Sequence, residues 1–340
     1  MNCSALERAD RWPHCLAVLL CCATFPLIWV GGLVTTYDAG MAVPDWPSTY
    51  GYNLFLDPWT IWLSGPWDLF IEHGHRLLGA VVGILTITLV ATVWRYDDRR
   101  WLRVLSLGAL ALVIGQGVLG GARVLLDDRF VAMLHGCLGP AFFAYCVGLA
   151  VCTSPFWKSS VPLHSPSSRL PRLALLTCLL AYLQLILGAQ LRHIPATFTP
   201  IAFQIVVWFH LAIAVVLLWH VVYLAVVTMG GYREVGVLRN PVLLLTGLLL
   251  VQFTLGASTW IVKYGWPHWF SDYQIAASHT VQANSFWQAT IVTGHVAIGS
   301  LIVAVSLLIT VRSLRLFRTD AALCGSGALG SGALLMGIAT

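Results

Sequence analysis

The chain is short of charge. Of its 340 residues, 10% are Asp, Glu, Lys or Arg, against about 25% in an ordinary soluble domain. That excludes a water-soluble globular protein. It also excludes a disordered chain, which needs high charge and few apolar residues. No coiled-coil or collagen period runs through the sequence, so a rod is excluded. Strict apolar/polar alternation is missing too, which argues against a transmembrane barrel. Cysteine is not scarce, with nine residues, but no Cys-x-x-Cys pair occurs. None of the cysteines falls in a predicted external loop, so no external structural disulfide is expected, and they read as small helix-packing residues.

What the sequence does have is apolar length. Hydrophobic residues make up 58% and the mean hydropathy is +0.81. They gather into eight runs, near 15–36, 71–94, 101–121, 130–152, 172–192, 203–227, 242–262 and 287–311. Each run is about as long as a helix that crosses a bilayer. The expected fold is an all-α integral membrane protein with eight transmembrane helices. The first run is too long for a signal peptide and has no small-residue cleavage site, so it is kept as a helix. No Arg- and Ser-rich presequence precedes it, which argues against import into an organelle.

An even number of helices puts both ends of the chain on one side. Fourteen of the 19 Lys and Arg residues fall on that side; Arg76, Arg123, Arg129, Arg192 and Lys263 fall on the other. Positive loops stay inside, so both termini are expected to be cytoplasmic. The net charge of +5 is this topology signal, and no basic stripe points to nucleic acid. The one long external loop, 37–70, is rich in Trp, Pro and Asp. It reads either as a set of interfacial anchors or as a lid. The tail repeats Gly-Ser-Gly-Ala-Leu at 325–329 and 330–334 and reads as a flexible end.

An internal repeat carries the chemistry. Runs three, five and seven end alike, as Gln116-Gly-Val-Leu-Gly120, Gln184-Leu-Ile-Leu-Gly188 and Gln252-Phe-Thr-Leu-Gly256. Run one ends on a weaker copy, Val30-Gly31-Gly32. The even runs begin alike, at His75, His135, His210 and His295, with Gly79, Gly139, Ala214 and Gly299 four residues on. That spacing places each small residue on the face of its His. The chain therefore reads as four copies of a two-helix hairpin, arranged as two related four-helix bundles.

Polar side chains inside a bilayer are costly and usually functional. One imidazole from each of two neighbouring helices makes a suitable pair of axial ligands for haem iron. The small residue beside each His leaves room for a flat macrocycle. A zinc site needs three or four clustered ligands, and the cysteines are not placed to complete one. A lone membrane His is often only a helix–helix hydrogen bond; four at one repeat position favour a ligand role. The repeated Gln residues read as interhelical hydrogen bonds or as contacts to a haem edge. His73, His193, His268, His279, His220, His14 and His164 break the pattern and read as solvated or structural.

Glu72 lies three residues before His75, on the same helical face. It is either a dipole-favoured charge near a helix start or a carboxylate able to move protons beside a ligand at His75. The corresponding positions before His210 and His295 are Val207 and Val292. The asymmetry suggests one catalytic half and one electron-carrying half. Arg76, Arg123, Arg192 and Lys263 are candidates to pair with haem propionates or to snorkel at the interface.

The run Leu33-Val-Thr-Thr-Tyr-Asp-Ala-Gly-Met-Ala-Val-Pro-Asp-Trp-Pro47, the element Glu72-x-x-His75-Arg76, and Gln116, Gly120-Gly121, Arg123 and His135-Gly136 together resemble the haem A synthase family. The likeness spans residues 15–311. It implies an enzyme of the bacterial cytoplasmic membrane that oxidises a methyl group of haem O to a formyl group, giving haem A for cytochrome oxidase. It implies haem O as substrate between His75 and His135, with Glu72 as the essential carboxylate. It implies a haem b cofactor, with its iron, between His210 and His295. Family members with paired external cysteines exist; this sequence falls with those that lack them. The expected divisions are a cytoplasmic segment 1–14, a substrate half 15–152, a cytoplasmic linker 153–171, a haem b half 172–311 and a cytoplasmic tail 312–340. Haem O synthase and a membrane electron donor, such as a quinol, are the expected partners beside the lipid bilayer. Two alternatives stay open: a diheme b-type electron-transfer cytochrome, and a haem carrier or assembly factor without turnover.

Overall fold

The computed structural model describes residues 11–56, 58–163, 169–195, 197–266 and 285–317. His164, His268, His279 and the repeated tail lie outside the described residues, as do residues 1–10 of the expected N-terminal segment.

Among the described residues there are eight long helices, each long and apolar enough to cross a membrane. They are α1 (Trp12–Thr36), α2 (Trp67–Tyr96), α3 (Arg100–Leu126), α4 (Arg129–Thr153), α5 (Arg169–Arg192), α6 (Pro200–Gly231), α7 (Gly236–Tyr264) and α8 (Phe286–Leu316). Two short helices, Trp59–Ser64 and Pro155–Ser159, lie in connections. The protein is thus an all-α membrane protein, as its composition requires.

Each helix extends past the expected apolar run at one end or both. The reason is local: backbone hydrogen bonding continues into the interface, where Trp and Arg are tolerated. Caps then fix the ends. Asp128 Oδ1 accepts from the N–H groups of Phe130 and Val131 at 2.6 and 3.0 Å. Thr199 and Ser285 cap α6 and α8 through their hydroxyl oxygens, which accept from Ala202 and Gln288. Satisfying such orphan donors stabilises a helix by about 1 kcal/mol.

Packing runs as two rings. Helix α1 packs on α2 and α4, with α3 closing the ring between them; α5 packs on α6 and α8, with α7 closing the second. The rings meet where α8 touches α1 and α4, and where α4 touches α5. Helix α8 is the hub, and its buried face is rich in small residues, among them Ala289, Gly294, Ala297, Ser300 and Ala304. Lipid is as apolar as Leu, so close backbone approach, not dehydration, holds such helices together. Helix α6 is the opposite case: only Leu217, Val221, Leu224 and Thr228 are buried along its 32 residues. Most of its remaining surface is apolar and suited to lipid, His210 and His220 apart.

Candidate functional site

Each repeated His lies against a glycine at the end of the preceding helix. A Cβ built on Gly31 would stand 2.8 Å from His75 Cε1, and one on Gly120 would stand 3.2 Å from His135 Cε1. The corresponding approaches are 3.3 Å for Gly188 and His210, and 3.1 Å for Gly256 and His295. These glycines are there for close approach: any side chain would push the ring away. The weak copy at Gly31 is therefore a full member of the repeat. Each ring also lies beside the backbone carbonyl one turn before its glycine, at Leu27, Gln116, Gln184 or Gln252. None of the four Nδ1 atoms reaches hydrogen-bond geometry, and all four are buried without a partner.

The small residues one turn beyond the His play a different part from the glycines. Gly79 and Gly139 face open space, whereas Gly299 meets the Gln252 amide, 3.2 Å from where its Cβ would be. The three repeated Gln residues contact the partner helix of their own hairpin. Gln116 Nε2 donates to the His135 carbonyl at 3.4 Å, and Gln184 Nε2 lies 3.2 Å from His210 Nε2. With the Gln184 amide donating, His210 keeps its proton on Nδ1.

The histidines pair. The rings of His75 and His135 are 6.3 Å apart between centroids and nearly perpendicular, at 84°. His210 and His295 are close enough to interact electrostatically. Metal–imidazole bonds are roughly 2 Å long, so one metal atom bonded to both rings fits the first gap. Among the described residues no three His, Cys, Asp or Glu side chains gather into a metal site. Two imidazoles with open space at Gly79 and Gly139 suit a metal whose other ligands arrive in a planar ring. Buried ring nitrogens lacking protein partners are what such a group would engage or orient.

The first pair is roofed by the 37–56 segment, which folds back as a strap. Glu72, 3% exposed, holds it from below: Oε2 accepts from the Val43 N–H and Oε1 from Arg76 Nη2, both at 2.9 Å. Arg76 also donates to the carbonyls of Val43, Asp45 and Ser48 at 2.7–2.9 Å. Arg123 Nη2 donates to the Gly40 carbonyl at 2.5 Å. The Trp46 ring occupies the place a side chain at Gly121 would take. Asp45 ties the turn, accepting from Ser48 Oγ and from the Tyr50 and Gly51 N–H groups. Partial burial raises the Asp45 pKa, but these donors outweigh it and hold the carboxyl below its usual range.

His73 is 2% exposed and bonds Thr49 across 3.1 Å, with Trp62 edge-on to its ring. It is structural, not solvated. Trp62 donates its indole N–H to the Phe70 carbonyl and stacks on the Phe70 ring, and Trp67 also stacks on Phe70. His220 bonds Thr177 at 2.9 Å and His14 faces the Ala150 carbonyl at 3.1 Å, so both tie helices together. His193, just beyond α5, has its pKa pushed down to about 4 by burial, then by Arg192, Arg123, Arg129 and His135. Its Nε2 would stand 3.7 Å from a Cβ on Gly136, beside His135. Neither the strap's anchoring nor this position of His193 has a signal in the sequence, because both depend on contacts between distant segments.

The fold and the site define a class: a polytopic helical membrane protein whose half-buried histidines, two from each ring of helices, gather at one end. Residues 67–205 match the family described as cytochrome oxidase assembly protein. The heme A synthase of Alkalihalophilus pseudofirmus is 24% identical over 245 residues, covering 67% of this chain and 80% of its own. That of Shouchella clausii is 30% identical over 176 residues, covering 49% and 54%. That of Exiguobacterium sibiricum is 26% identical over 200 residues, covering 56% and 63%. The matches to these last two therefore span less than two thirds of the relatives' length. Over these stretches the chain is similar to the cytochrome oxidase assembly family and to heme A synthases.

Proposed function

We propose that the protein is a haem A synthase, oxidising a methyl group of haem O to a formyl group through two successive hydroxylations and loss of water, each hydroxylation taking one oxygen atom from dioxygen while two electrons from the donor and two protons carry the other to water. The observation that carries this is the asymmetry laid over the repeat. All four His–Gly contacts recur, but among the described residues only the first pair has a buried carboxylate one turn away and a folded strap above it. Haem O is assigned to the His75–His135 site and haem b to the His210–His295 site. Haem b, when bound, supplies one-electron transfer.

The chain's own residues divide the work. His75 and His135 hold the substrate iron, and Gly31 and Gly120 set the ring positions. The strap keeps bulk water from the reacting edge. Glu72 is assigned proton transfer at its carboxylate, with Arg76 fixing its orientation. His210 and His295 hold the cofactor. Arg76, Arg123 and Arg192 are assigned to the propionate side, although the first two also bind the strap. The protein is placed in a bacterial cytoplasmic membrane with both termini inside and the histidine end outside. Haem O synthase as the supplier of substrate and a quinol as electron donor complete the proposal.

The test is haem extraction from protein purified out of cells that also make haem O, read by chromatography and mass spectrometry. Haem b together with haem O, its alcohol or haem A is expected. Haem b alone would point to an electron-transfer cytochrome, and no haem would sink both. Glu72→Gln should retain both haems and lose product formation by about 10²-fold or more. Haem A made at the wild-type rate would remove Glu72 from the chemistry.

A further inference from the structure

Arg192 is a half-buried cation with no counter-charge among the described residues, at the seam between the two rings of helices. It ends α5, one turn after Gly188, the glycine against His210. Its Nη2 donates to the Gly32 carbonyl and to Thr36 Oγ1 on α1, both at 2.7 Å. The Thr36 hydroxyl donates to the Gly32 carbonyl at 2.9 Å. With its own proton so used, Thr36 Oγ1 accepts from Thr293 of α8, at 3.3 Å. Gly32 follows Gly31, which touches His75, and Thr293 precedes His295 by two residues. The guanidinium is thus tied to three helices, within about one turn of three pair histidines.

Its other nitrogen, Nη1, is out of contact with solvent and has no partner. Among the described residues the ion pairs are Glu72–Arg76, Asp97–Arg99 and Asp98–Arg103, and none includes Arg192. Arg76 and Arg123 differ, since the strap already receives their donors. An unpaired buried charge is strongly destabilising, and guanidinium is the side chain best shaped for a carboxylate. No described acidic side chain supplies the counter-charge, and the anionic groups of a haem are its propionate carboxylates.

We infer that Arg192 binds a propionate of the haem held between His210 and His295 and raises that haem's reduction potential. This rests on the assignment of haem b to that pair. A fixed positive charge beside the macrocycle favours the ferrous state, which carries one positive charge less. Arg192 acts as a positioning residue, through charge and one bond, not as a ligand to iron.

The experiment is a spectroscopic redox titration of detergent-purified wild type, Arg192→Gln, Arg192→Lys and Thr36→Val, with haem content measured before and after dilution. Arg192→Gln should lower the ferrous-to-ferric ratio at fixed potential at least tenfold, which is about 59 mV for one electron. It should also shed haem b faster. Arg192→Lys keeps the charge and should recover most of the potential. Thr36→Val loosens the α1–α5 contact but leaves the charge, and should leave the potential where it was. Complete loss of haem b from Arg192→Gln, with full retention in Thr36→Val, would support the same assignment. An unshifted Arg192→Gln, or a Thr36→Val shift as large as that of Arg192→Gln, overturns it. A wild type that holds no haem b removes this inference and the assignment beneath it together; normal haem b with an unshifted Arg192→Gln removes this inference alone.

Discussion

The two halves use one scaffold for different ends. Both set a His on one helix against a glycine on the helix before it, twice over. Above the first pair the chain adds a strap held by Glu72, Arg76 and Arg123. At the positions matching Glu72 the second half has Val207 and Val292, and its helix α6 is almost wholly given to apolar surface. On the function proposed above, the repeat builds a holder, and polar additions around one holder turn it into a reaction site. A carboxylate costs free energy to bury and is kept where it has bonds to make; Glu72 has two.

The comparison can be broken most sharply at the histidines. His295→Ala should empty the second site, with at least about a tenfold loss of haem b, while haem O still binds the first. Pyridine haemochrome spectra separate the two, and loss of both haems at once would show the halves are not independent holders. Next in size, Arg76→Met should release the strap and leave Glu72 buried without its cation, a loss of about 3–5 kcal/mol. Amide hydrogen exchange should rise over residues 40–52 and stay unchanged in α6 to α8. Equal change in both halves would mean that the strap is not a local device.

The glycines offer a graded series. Alanine must displace the ring most at Gly31, where the approach is 2.8 Å, and least at Gly188, at 3.3 Å. Overpacking costs about 1–3 kcal/mol, so thermal unfolding in detergent should fall in the order of those distances. A reversed order would refute steric control of the rings. The smallest effect is expected from acid. The Asp45 carboxyl titrates lower in the folded strap than in the free chain. Its contribution is therefore complete above the unfolded carboxylate pKa of about 3.9 and is lost as pH falls through the folded value. Trp46 fluorescence should stay level through neutral pH and change only in that acidic window, and Asp45→Asn should flatten the change. A transition near neutrality would assign the strap's stability elsewhere.

Much of this was legible in the primary sequence, because the bilayer leaves few options. Eight apolar runs of spanning length can only be helices, and the His spacing survives as a period whatever the packing. The extra turns at each helix end were not legible, since interfacial Trp and Arg belong equally to helix and loop. The Gln residues were legible as interhelical bonds. The solvated alternative for His73 was wrong: its burial depends on Thr49 and Trp62, and Thr49 is 24 residues away in the chain. Glu72 was visible as a neighbour of His75, but its two bonds were not.

By itself the sequence determined an all-α membrane protein with four repeated histidines on alternate helices, because hydropathy and helical period act locally. Tertiary structure alone decided which glycine meets which ring, how residues 37–56 fold onto Glu72 and Arg76, and that Arg192 reaches α1 with no acidic partner among the described residues. Those are contacts between residues 15 to 160 apart, and local pattern has no information about which of them form until the helices have packed.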